Sequence, residues 1–116
     1  MKTGQDITHV RGDDLAISVT VTLDNSRSLD GTEAWRWVLR ANPEQHALVS
    51  KTSVSGIALD GSTHQPTITI GSADFPLSEF PSSIADRIYM HELQMTKSGS
   101  VETILRGSFT LVSDIA

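Results

Sequence analysis

Arg87-Ile88-Tyr89-Met90-His91-Glu92-Leu93-Gln94-Met95-Thr96, then Lys97-Ser98-Gly99-Ser100, then Val101-Glu102-Thr103-Ile104-Leu105-Arg106-Gly107-Ser108-Phe109-Thr110-Leu111-Val112 is the stretch that decides the fold. Two long runs rich in β-branched and apolar residues flank a short polar turn containing Gly, which predicts a β-hairpin. Tyr89 and Leu93 are expected to face the core from the first strand, and Leu105, Gly107, Phe109 and Leu111 from the second. Gly107 stands where a side chain would be expected, so a bulge or a close backbone approach is predicted there.

Working outward, Leu15, Ile17, Val19, Val21 and Leu23 alternate with Ala16, Ser18, Thr20 and Thr22. A period of two with β-branched residues on both faces fits a strand and no helix. Trp35, Trp37 and Leu39 alternate with Arg36, Val38 and Arg40, which places both Trp residues inward and makes them the heaviest apolar contribution. Shorter strands are expected at 7–10, 47–52, 56–59 and 67–70, with residues 47–52 at an edge. The segment 72–86, with Pro76 and Pro81 among Phe75, Leu77, Phe80 and Ile84, reads as a packed connection.

Turn formers recur about every ten residues, and no amphipathic helix is legible. The predicted fold is all-β: an antiparallel β-sandwich, Ig-like in the loose sense, of about seven to eight strands. It fills one domain, 1–116, with residues 1–6 as a loose N-terminus. Leu, Ile, Val and Phe make up about a quarter of the chain, enough for a single modest core.

Composition narrows the function classes. The net charge is −5, and the nine Lys and Arg are scattered, so a nucleic-acid partner is not expected. With no cysteine, disulfides, thiolate metal sites and a cysteine nucleophile are excluded. Residues 1–6 carry no apolar run of the signal-peptide type, and no stretch approaches a membrane span, so synthesis in a cytoplasm is expected.

Candidate chemistry is sparse. Arg11-Gly12-Asp13 matches an adhesion tripeptide and is kept as a possible interaction site, although turn chemistry is the favoured account of it. His91-Glu92 opens like a zinc-protease motif, but position 95 is Met and the segment reads as a strand. His9, His46 and His64 are placed near loops or strand ends, and His91 as a partly buried strand residue. No nucleophile elbow, phosphate loop or paired-carboxylate cleft is legible. The reading is therefore no enzyme, no catalytic residue, no cofactor and no metal. Trp35, Trp37, Tyr89, Gly107 and Phe109 are taken as structural.

Several signals occur in a familiar order. Val10-Arg11-Gly12-Asp13-Asp14 leads into an alternating strand, and a second strand ends in Val38-Leu39-Arg40. Tyr89-Met90-His91-Glu92-Leu93, a Gly-containing turn, and Leu105-Arg106-Gly107-Ser108-Phe109 follow. From His9 to Ile115 the chain resembles the Ig-like β-sandwich domains of tailed-phage baseplate and tail proteins, including the N-terminal domain of upper baseplate proteins. It departs at Asp14, where that family favours Thr, and at His91-Glu92, where Tyr-Asp is common. The resemblance implies a virion protein of the tail that assembles by docking to other tail or baseplate proteins, with a homo-oligomer expected. The alternative is a sandwich module that binds a host-surface glycan or protein.

Overall fold

The structure, a computed structural model, describes residues 5–10, 14–19, 29–42, 44–75 and 87–112. Eight strands are formed among them: β1 (Ile7–Val10), β2 (Leu15–Ser18), β3 (Ala34–Arg40), β4 (Val49–Thr52), β5 (Ile57–Leu59), β6 (Pro66–Ile70), β7 (Arg87–Lys97) and β8 (Ser100–Val112). A short 3-10 turn, Ser72–Asp74, follows β6. The strands divide into a five-stranded sheet ordered β1-β8-β7-β3-β4 and a three-stranded sheet ordered β2-β6-β5. The expectation of an all-β sandwich of seven to eight strands is met.

β7 and β8 form the long hairpin, paired from Arg87↔Leu111 to Lys97↔Ser100. Ser98 and Gly99 at its tip have φ of 52° and 82°. Positive φ at both central residues matches the right-handed twist of the flanking strands, and Gly supplies one of them without steric cost. The ladder slips between Leu93 and Gln94: Leu93 pairs with Leu105, but Gln94 pairs with Thr103, leaving Ile104 as the extra residue. The bulge therefore falls at Ile104. Gly107 is the other alternative, a close approach: a Cβ there would overlap the backbone of Gln5.

One expectation of the fold needs correction. The five-stranded sheet is not wholly antiparallel, because β1 runs parallel to β8, with Ile7↔Phe109 through Val10↔Val112. Alternation fixes which face a residue takes and carries no information on strand direction. His9 lies next to the end of β1, as expected, and is buried there at 3% exposure, with its ring 5.3 Å from that of Phe75 and 5.9 Å from that of Phe109. It shares the inward face of β1 with Ile7, and the period of two would have placed it there.

The inner faces of the two sheets make one core. Trp37, Leu39, Leu93 and Phe109 from the larger sheet meet Ile68 and Ile70 from the smaller, all at 0% exposure. Each such side chain contributes about 1.5–3 kcal/mol by leaving water. Lys51 on β4 reaches Asp74 of the 3-10 turn at 2.7 Å, which ties the edge of the large sheet to the end of β6. Asp74 also accepts from Gly71 N at 2.9 Å. The loop before β3 is held by Glu33, whose carboxylate accepts from Asp30 N and Gly31 N and pairs with Lys97 Nζ at 3.1 Å.

The second half of the strand predicted over 15–23 lies largely outside the described residues; Leu15–Ser18 is its described part. Most of the connection predicted over 72–86 lies outside them as well, apart from the 3-10 turn and the buried Phe75.

Candidate functional site

The outer face of the large sheet carries the chemistry. On β3, Arg36, Val38 and Arg40 point away from the core that Trp35, Trp37 and Leu39 fill. Register aligns Val38 with Glu92 of β7, Glu92 with Arg106 of β8, and Arg40 with Met90. Val38, Arg40, Met90, His91, Glu92 and Arg106 line a pocket of about 210 Å³. A second, shallower hollow continues past Met90 and Arg106 to Ala41, Ile88 and Ser108. Val38 is 1% exposed although it faces outward, and Ile88 beyond Met90 is 70% exposed.

Electrostatics in the pocket are unbalanced. Arg106 donates from Nε at 3.0 Å and Nη2 at 2.6 Å to Oε2 of Glu92. Gln94 Nε2 donates to Oε1 of Glu92 at 2.7 Å. Both Glu92 oxygens are thus engaged. Among the described residues Arg40 has no such match: its Nε is buried without a hydrogen-bond partner. One positive charge in the lining is left over.

Behind the pocket lies a polar chain running into the core. Trp37 Nε1 donates to His91 Nδ1 at 3.1 Å, and His91 Nε2 meets the carbonyl of Gln5 at 2.5 Å. Indole is a donor only and a carbonyl an acceptor only. His91 must therefore be neutral, with its proton on Nε2. Burial pushes the His91 pKa below its ordinary value, against the smaller upward pull of the Gln5 carbonyl and the Asp6 charge. His91 is 2% exposed, so it is a core residue rather than a partly buried one. Gln5 can reach it because Gly107, opposite His91 in the ladder, has no side chain.

The residues singled out from sequence fall as follows. Trp35, Trp37, Tyr89 and Phe109 are buried in the core, and Gly107 admits the Gln5 backbone. Arg11, Gly12 and Asp13 lie outside the described residues. His46 is exposed, and His64 sits in the turn after β5 with φ of 60°, its ring against Gly31. Among the described residues no three His, Asp or Glu side chains converge as a metal cluster. No helix there is long and apolar enough to cross a membrane. Sequence reasoning passed over Arg40, Glu92 and Arg106 as a set. Alternation put each on the outer face, but their alignment depends on strand register.

No protein-family model and no curated protein matches the chain. Among solved structures, a sialyltransferase from Photobacterium damsela is similar over 97% of this chain, with a TM-score of 0.40 and 11% identity. This chain spans 18% of the length of that protein. That neighbour is an enzyme, and the expectation of a chain that is not one is withdrawn on this finding. A likeness at that score assigns neither an activity nor a substrate here.

Proposed function

We propose that the chain is a structural or assembly component of a phage or prophage tail or baseplate, and that it acts by docking to neighbouring tail proteins. The sequence resemblance names the class. The observation that supports docking is the open edge at β4, one of the two outermost strands of the five-stranded sheet.

Ser53 N donates to Trp35 O, while Thr52 N turns away from β3 to Ser55 O. In an antiparallel ladder successive N–H groups point to opposite sides. Ser50 N–H, two residues before Thr52, therefore points outward from the sheet, and Ser50 is exposed. A strand of a partner subunit can pair there by strand addition. Val54, 96% exposed in the turn that follows, adds an apolar contact beside this edge. The glycan-binding alternative lacks comparable support, because Trp35 and Trp37 are buried and neither indole is open to stack on a sugar.

Hydrogen exchange tests the reading. The purified chain is mixed with the tail and baseplate proteins encoded in the same genome. Slowed exchange at Ser50 and its neighbours on complex formation is the expected result. Unchanged exchange along β4, with no complex formed, refutes it.

A further inference from the structure

The pocket on the outer sheet face has a composition that docking at β4 does not use. We propose that it binds a carboxylate carried on a short apolar stem.

The charge balance gives the sign of the ligand. Two arginines and one glutamate line the pocket, and that glutamate is saturated by Arg106 and Gln94. The residual charge is positive in a chain whose net charge is −5. Arg40 gives the geometry. Its Nε–H is hidden from water and has no acceptor, a costly condition for a guanidinium donor. Arg40 itself is only partly buried and lines the pocket, and a carboxylate presents two coplanar oxygens that match the guanidinium fork where it opens there.

The walls give the rest of the ligand. Val38 and Met90 are apolar, and the adjoining hollow past Met90 leads to Ala41 and Ile88, with Asp6, whose carboxylate accepts from Ser108 N, on its far lining. A short hydrocarbon stem can lie across Met90 while its carboxylate faces Arg40. At about 210 Å³ the pocket is below the usual range for a drug-sized ligand and suits a group the size of one side chain. The same chemistry comes from a free short-chain acid or from a glutamate side chain of a bound protein. A phosphate fits less well, because only one guanidinium is unengaged and two walls are apolar.

NMR titration of the intact chain is the test, read at the Met90 and Val38 methyl groups. Three titrants are used: sodium butyrate, a glutamate capped at both ends, and sodium chloride at matched ionic strength. Saturable shifts with a carboxylate, half-complete near about 1 mM, are expected, with none from chloride. Butyrate binding the tighter of the two assigns the site to a free acid; capped glutamate binding as tightly or more assigns it to a protein side chain. Arg40→Met should abolish the shifts, and Arg40→Lys, which keeps the charge without the fork, should weaken binding about tenfold. If Arg40→Met does not fold, Arg40→Lys alone decides the point. Shifts that follow ionic strength only, or that persist unchanged in the folded variants, overturn the proposal.

Discussion

Gly107→Ala is the substitution whose effect the structure specifies most closely. The ideal Cβ would overlap the backbone of Gln5, and backbone cannot rotate aside as a flexible side chain can. The segment leading into β1 must then move. Two hydrogen bonds depend on its position: Gln5 N to Arg106 O at 3.3 Å, and the Gln5 carbonyl with His91 Nε2 at 2.5 Å. The first is worth about 1 kcal/mol, and stranding the buried His91 donor costs about 1–3 kcal/mol. The expected loss is thus about 2–4 kcal/mol, a large share of a total stability of about 5–15 kcal/mol for such a domain. The melting temperature should fall by about 4 °C for each kcal/mol. Urea unfolding followed by Trp fluorescence measures it, with Trp37 reporting on His91 through their hydrogen bond. A loss below about 0.5 kcal/mol refutes the argument that the absent side chain at Gly107 admits Gln5.

Three further outcomes follow from the same contacts. The His91 pKa is lower in the folded chain than its ordinary 6.5, so between the two values the unfolded chain holds more protons. Stability should therefore be full above about pH 6.5 and decline as pH falls toward the folded value, at no more than about 1.4 kcal/mol per pH unit. The neighbouring Asp6 cannot mimic this, because its hydrogen bonds with Ser108 hold its pKa below the ordinary carboxylate value. A flat urea midpoint between pH 7 and the carboxylate range, unchanged by His91→Leu, counts against the neutral His91 assignment. Glu33→Ala should cost about 2–3 kcal/mol by removing the acceptor of two backbone N–H groups, with faster hydrogen exchange at Asp30 and Gly31 as its local mark. Arg40→Met should leave stability unchanged or raise it by about 1 kcal/mol, since it deletes a buried donor that has no partner. A marked drop in the denaturation midpoint would show that Arg40 serves the fold instead.

Much of the fold was legible because the period of two is a strong signal in this chain. It placed Trp35, Trp37, Tyr89, Leu93, Leu105 and Phe109, and the tip of the hairpin follows from Gly99. The parallel pairing of β1 with β8 was not legible, since a single strand shows the same alternation in either direction. His91 was legible in principle, since it sits on an inward position between Tyr89 and Leu93 although only partial burial was expected, and His9 shares the inward face of β1 with Ile7. What settles them inside is their partners, ring contacts for His9 and the Trp37 and Gln5 bonds for His91, all distant in sequence. The pocket was the least legible feature. Its residues come from three strands and meet only because Val38, Glu92 and Arg106 fall in one row. A slip of one residue in either pairing would disperse them.

The proposal of assembly through an open strand edge is tested most directly by light scattering on size-exclusion fractions, with and without Ser50→Pro. Proline removes the outward N–H at Ser50, and its position on an edge strand tolerates the ring. The intact chain should elute as a multiple of its 12.6 kDa mass, or in a complex with a tail protein of the same genome, and Ser50→Pro should abolish the association while remaining folded. A 12.6 kDa monomer at every concentration, with no complex formed, contradicts it.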